Sequence, residues 1–487
     1  VTALLAVDVG TSHIKAAVFD RSGALLRLAL RPTPVETSAA GWRYLELDTL
    51  WSLVQAAIRE VVEASPAVSA VGVTSMAETG ILIDRLTCQP RTPMFPWFDP
   101  AASAQAARLS DPLAIFERAG LRASFKCAVP RLLWLRDEGL AALEGGVWLS
   151  AADYIVFRLT GAFATDYSLA GRTLAFDIRA KQWDVDWLAR LGLPNLFPDA
   201  YPAGAAVGVV ENAAAGVPAG IPVTVAGHDH LCAAFGAGAV AAGSALDSMG
   251  TAEALVGALE TVSLDQEAFD SGLSFGCHTF PDRFYWIGGM SASGGSVEWL
   301  RSLLAETPLT YEQVASLLEA IPPQPTGILY APYLSGAGIP RPDPAVGAAF
   351  LGLRREHTRA HLLRAALEGT AYEVEMIREL AQSSLGEQLT DCIVVGGSTR
   401  NTCWMQIKAD VSGLPLKVSE QPEAALFGAA LLAGIAGGSY LGYAAALREA
   451  KMPLREVVPD PACHEQYQQI YQRGYLPLQA FLRKVIL

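Results

Sequence analysis

The stretch Ala226-Gly227-His228-Asp229-His230-Leu231-Cys232 sets one acid between two imidazoles, directly after a β-branched run and directly before small apolar residues spaced as in a helix. Three chemistries fit. Asp229 can cap that helix by accepting first-turn N–H groups, it can serve as a general base, or the three side chains can begin a metal site. The other histidines (His13, His278, His357, His361, His464) add no recognisable ligand spacing to the last reading. A carboxylate at the C-terminal edge of a strand in an α/β lobe stands where ligands usually bind, which favours the base.

Asp8-Val9-Gly10-Thr11-Ser12 offers a second kind of chemistry. A Gly-Thr-Ser tip turns tightly and presents N–H and hydroxyl donors to phosphate, while an acid at the strand end can bind Mg²⁺. Asp247-Ser248-Met249-Gly250-Thr251 echoes it half a chain later. Ile393 to Asn401 reads as a strand, a glycine turn at Gly396-Gly397-Ser398 and a helix, a placement that lets backbone approach a nucleotide. No GxxxxGK[ST] occurs, and Gly236-Ala237-Gly238 lacks the third glycine of a dinucleotide fingerprint, having Ala241 there. Glu78, just past a strand, can accept hydrogen bonds from hydroxyls, and Trp97-Phe98-Asp99 pairs an aromatic face with a carboxylate, as a sugar site needs.

The elements that must position these residues alternate between strand and helix. Residues 4–7, 13–19 and a third run after Asp20-Arg21-Ser22-Gly23 predict a β-meander. Helical periodicity over 50–64 precedes a strand at 70–74, and another strand at 221–225 leads into His228. The second half repeats the texture, with strands at 284–288 and 392–395 and helices at 295–304, 357–380 and 404–411. We place a lobe boundary near residue 242.

With 487 residues the chain exceeds one ordinary core. Hydrophobic residues make up 51% and charged ones 17%, a well-packed globular composition. A net charge of −13 without any basic run argues against nucleic acid as a partner. Seven cysteines without ligand spacing point to a reducing, cytoplasmic setting, and no apolar run reaches the ~18 residues of a membrane span.

Together these motifs resemble the FGGY family of carbohydrate kinases, within the actin and Hsp70-like ATPase superfamily. The resemblance runs over nearly the whole chain. It includes both hairpins with Lys15 and Asp20, Asp153-Tyr154 with Leu159-Thr160-Gly161, Thr165-Asp166-Tyr167-Ser168, Tyr330 to Gly336, the helix from His357, and Gly396-Gly397 with Asn401, Trp404 and Ala409-Asp410. The resemblance implies an α/β fold of two RNase H-like (actin-like ATPase) lobes flanking a deep catalytic cleft, residues 1–241 holding sugar and 242–487 holding ATP. It implies ATP and Mg²⁺, with Asp229 as catalytic base and Asp8 beside the metal. Gly10, Thr11, Ser12, Lys15, Gly250, Thr251, Gly396, Gly397, Ser398 and Asn401 would hold nucleotide. Glu78, Trp97, Asp99 and His230 would face a small sugar or polyol, and homodimers are common in the family. Ala77 stands where glycerol kinases carry Arg, His230 where they carry Gln, and Ala77-Glu78 where xylulose kinases carry Met-His. The competing reading is an actin- or Hsp70-like ATPase whose nucleotide state controls a protein partner.

Overall fold

The structure is a computed structural model that describes residues 3–211, 215–386 and 388–484. Two large sheets organise it. In the first half these are β1 (Ala3–Val9), β2 (His13–Asp20), β3 (Leu25–Pro32), β4 (Val68–Ser75), β5 (Gly208–Val209) and β6 (Pro222–His228), in the order β3-β2-β1-β4-β6-β5. The expected meander is present, since β1–β2 and β2–β3 are antiparallel, while β1–β4 and β4–β6 are parallel.

The second half holds β7 (Ser244–Met249), β8 (Glu253–Leu259), β9 (Ser274–Cys277), β10 (Phe284–Met290), β11 (Asp391–Val395), β12 (Leu416–Ser419) and β13 (Leu454–Val457). Their order β10-β8-β7-β11-β12-β13, with β9 added at the edge, reproduces the first sheet strand for strand and direction for direction. The short Gly-Thr echo in the sequence therefore marks a repeated architecture.

Helices cover both faces of the first sheet. Along β1 the odd residues Leu5, Val7 and Val9 enter a core shared with α1 (Leu47–Glu63), and the even residues Leu4 and Ala6 enter another. That second core contains α2 (Asp229–Ala237) and α5 (Ala424–Ala436), which pack on each other, together with Leu246 and Val256 of the second sheet. Two further helices, α3 (Arg359–Leu385) and α4 (Thr402–Ser412), cover the far face of the second sheet. Each fully buried Val, Leu or Phe in such a layer contributes about 1.5–3 kcal/mol. Because α5 comes from the second half yet lies across β1, β4 and β6, the core between the sheets draws on both halves of the chain.

Candidate active site

Alternation along β1 puts Asp8 on the same face as Leu4 and Ala6, the face on which α2 and α5 begin. Asp229 is the first residue of α2 and Glu423 immediately precedes α5, so two strand-to-helix turns deliver acids toward Asp8. Lys15 lies opposite Asp8 across the β1–β2 ladder, and its Nζ is 2.6 Å from Glu423 Oε2. Three carboxylates thus share one lysine. Burial pushes the Asp8 carboxyl up to about 8; Lys15 pulls the other way, and Asp229 and Glu423 add to the rise. Asp8 Oδ1 is buried without a hydrogen-bond partner. An orphaned oxygen in a cluster with excess negative charge suits a divalent cation.

The helix cap, one of the three readings of Asp229, falls to His228, which has the extended backbone of a cap but makes no side-chain capping bond. Asp229 sits one residue further on, and its Oδ1 accepts from the His230 N–H at 2.7 Å and lies 3.2 Å from His228 Nε2. Burial works against the Asp229 anion, but His230, His228 and the His230 N–H outweigh it and hold the carboxyl at about 2. Burial also lowers the His230 imidazole below its usual value, so at neutral pH the hydrogen bonds hold the anion more than an imidazolium does. Oδ2 makes no hydrogen bond among the described residues, and the side chain is 24% exposed. One atom of each of His228, Asp229 and His230 lies within 4.8 Å of the others, but the Nε2 contact occupies His228 in holding the carboxylate.

Past β4 the chain turns at Glu78 with φ of 58°, the left-handed region that a non-glycine residue enters at a cost of about 1–2 kcal/mol. Glu78 Oε1 accepts from Arg172 Nε at 2.8 Å and also from Nη2. Although burial opposes ionisation, Arg172, then His228 and Lys126, keep Glu78 below the usual carboxylate range. Trp97 donates from Nε1 to Thr11 Oγ1 at 3.0 Å, tying an aromatic wall to the first hairpin, and Lys126 Nζ lies 4.9 Å from the indole ring.

Asp99 does not join this group. It is fully buried, Oδ1 meets Arg131 Nη1 at 2.7 Å and Oδ2 accepts the Arg43 N–H at 2.7 Å, so its oxygens hold the fold together. The Trp-Phe-Asp pattern cannot tell a carboxylate facing a cleft from one facing a buried arginine.

The hairpin tips Thr11, Ser12, Gly250 and Thr251 are exposed, and Gly10 is half-buried. Around the second tip, the N–H groups of Ser293 and Gly295 donate to Thr251 O and that of Gly294 to Gly250 O, which fixes the loop against a helix start. Gly396 has φ of 108°, and a Cβ there would lie 2.2 Å from Met249 O. Only glycine lets the turn at Gly396-Gly397-Ser398 cross that close to the second hairpin. Asn401 caps α4, its Oδ1 accepting the Trp404 N–H at 3.1 Å.

With this geometry in view, the profile of the FGGY family of carbohydrate kinases, N-terminal domain, matches residues 3–236, and that of its C-terminal domain matches residues 248–437. The chain belongs to the FGGY family. A glycerol kinase of Paracidovorax citrulli is 31% identical over 473 residues, covering 91% of this chain and 92% of the relative. A xylulose kinase of Bacillus subtilis is 27% identical, covering 89% and 88%. The crystal structure of xylulose kinase from Rhodospirillum rubrum superposes with a TM-score of 0.86 at 26% identity, covering 99% of this chain and all (100%) of that one. The two sheets are therefore those of two actin-like lobes.

Sequence reading missed Arg172, Lys126 and Glu423. Arg172 lies six residues beyond Asp166 in an irregular segment, where no periodicity marks it, and Glu423 is 408 residues from the lysine it meets. All seven cysteines are free thiols, and among the described residues no helix is long and apolar enough to cross a membrane.

Proposed function

We propose that this chain transfers the γ-phosphoryl group of ATP to a hydroxyl of a small carbohydrate, of the size of a pentulose, hexulose or polyol, with Asp229 as general base. The observation that carries the reading is the placement of Asp229. Its Oδ2 is free, its charge acts on Asp8 on one side and on His230 on the other, where Arg172 and Glu78 also act, and its carboxyl is kept ionised.

Glu78, with Oε2 not engaged by Arg172, accepts from an acceptor hydroxyl, while Trp97 covers an apolar face of the sugar. The attacking oxygen forms a bond to the γ-phosphorus as the bond to the bridging oxygen of ADP breaks, and its proton passes to Asp229 Oδ2. A carboxylate held below its usual range is too weak a base to deprotonate an alcohol in advance. It takes the proton late, as suits a loose transition state in which the nucleophile becomes acidic only once the new bond is forming. Asp8 would hold Mg²⁺, which when bound neutralises charge on the phosphoryl oxygens. N–H groups of Gly10 to Ser12 and of Gly250 and Thr251 would bind phosphate, and residues 396–398 the adenosine end.

The test is ADP release with ATP and Mg²⁺ over a panel of small carbohydrates, run on the wild type and Asp229→Asn. The variant is expected to keep its melting temperature and nucleotide affinity and to lose ~10²–10⁴-fold in sugar-dependent turnover. Turnover within a fewfold of wild type would remove Asp229 as the base. Sugar-independent ATP hydrolysis stimulated by a protein would favour the actin- or Hsp70-like alternative.

A further inference from the structure

On the wall formed by Glu78, Trp97, Lys126 and Arg172, away from Asp229, two cations stand against one acid. Arg172 and Glu78 cancel, their ion pair nearly buried with side chains 14% and 10% exposed. His230 is kept neutral at pH 7 by burial. Asp99, which would supply the missing negative charge, is committed to Arg131 in the core. Lys126 remains.

Its ammonium stands over the Trp97 ring, whose indole N–H is bonded to Thr11, so the lysine head lies beside the first hairpin. It is near enough to Glu78 to help keep that acid ionised. Yet among the described residues no carboxylate comes within 4.0 Å of Lys126 Nζ, whereas Arg172 already takes Glu78 Oε1. The residue is half-buried and its ammonium has no bonded anion. The cation–π contact meets part of its charge, and an ionic hydrogen bond would meet more.

Resting on the kinase reading above, we infer that Lys126 binds a carboxylate on the acceptor, making the preferred substrate a sugar acid of the aldonate class and not a neutral ketose or polyol. The size of the surplus decides the kind of anion. One unpaired ammonium matches the single charge of a carboxylate, while a phosphate ester would bring a second charge that nothing on this wall meets. Glu78 Oε2 remains for a hydroxyl, so the polyhydroxy chain would be read by Glu78 and its end by Lys126.

The experiment measures kcat/KM by ADP release for four- to six-carbon aldonates and for the alditols and ketoses of the same lengths, on the full chain with ATP and Mg²⁺. The best aldonate is expected to exceed its alditol by about 10–100-fold, the range of a hydrogen bond to a charged group. Lys126→Met should collapse that ratio toward one, mainly through KM, and Lys126→Arg should restore most of it. Calorimetric titration of the same aldonate without ATP should show weaker binding to Lys126→Met than to wild type, while an unchanged melting temperature confirms that the variant is folded. A wild type that prefers neutral acceptors, or a Lys126→Met change that lowers aldonate and alditol rates equally, would overturn the inference and leave the kinase reading standing. Silence toward every acceptor, charged or neutral, would overturn both.

Discussion

The two Gly-Thr hairpins look like copies in the sequence and behave as opposites in the fold. Aligned on Gly10-Thr11 and Gly250-Thr251, the first has its acid two residues before the glycine and the second three residues before. Side chains on a strand alternate faces, so a displacement of one residue sends the acid to the other side of the sheet. Asp8 faces the inter-sheet side with Leu4 and Ala6, where Asp229 and Glu423 arrive. Asp247 faces away from Leu246, under α4, where Lys408 Nζ meets it at 2.7 Å and also meets Glu253. The first hairpin leaves an oxygen of its acid without a hydrogen-bond partner, and the second seals its acid into a buried ion network. Equal topology does not confer equal chemistry.

The helices that follow the repeated strands show the same division of labour. Asp229 opens α2 after β6 and Glu423 immediately precedes α5 after β12, so they occupy near-equivalent places in the two lobes. Glu423 is engaged by Lys15, whereas Asp229 leaves one oxygen free.

The largest expected effect tests the sealed hairpin. Lys408→Met leaves Asp247 and Glu253 buried against each other and should cost about 3–5 kcal/mol of stability in chemical denaturation, the usual penalty for breaking a buried pair. A loss below about 1 kcal/mol would mean that Lys408 does not hold the network. The matching change in the open hairpin, Asp8→Asn, should leave the ligand-free chain as stable as wild type or more so, since it removes an unpaired buried acid. Its catalytic efficiency should fall by on the order of 10²-fold through lost cation binding. If Asp8→Asn destabilised the chain as strongly as Lys408→Met while sparing activity, the contrast between the hairpins would be reversed.

A smaller effect separates them by pH. Burial raises both Asp8 and Glu253 to about 8, Asp247 adding to the rise at Glu253. From about pH 4 to 8 the folded chain then holds protons that the unfolded chain has released, so stability falls as pH rises through that range. Thermal melts from pH 5 to 8 should show this slope. Mg²⁺ with ADP should remove the Asp8 share and leave the Glu253 share, and Glu253→Gln should remove the latter; an unchanged slope in that variant would contradict the assignment.

Much of this was legible beforehand. The meander, the long helix after His357 and the strand-to-helix turns at Asp229 and Gly396 all emerged from periodicity and glycine placement, with ends within a few residues of those observed. Asp99 was misread because its neighbours in sequence are aromatic while its neighbour in space is Arg131.

The sequence by itself determined the alternation of strand and helix, the two Gly-Thr tips and the acid between two histidines, because these depend on local dihedrals and on residues a few positions apart. Only the tertiary structure decided which acid meets which cation. Arg172 reaches Glu78 across 94 residues, Lys408 reaches Glu253 across 155, and Lys15 reaches Glu423 across 408. Whether a carboxylate is left open for chemistry or neutralised in a core depends on the face it takes and on what packs there, and packing is a property of distant segments.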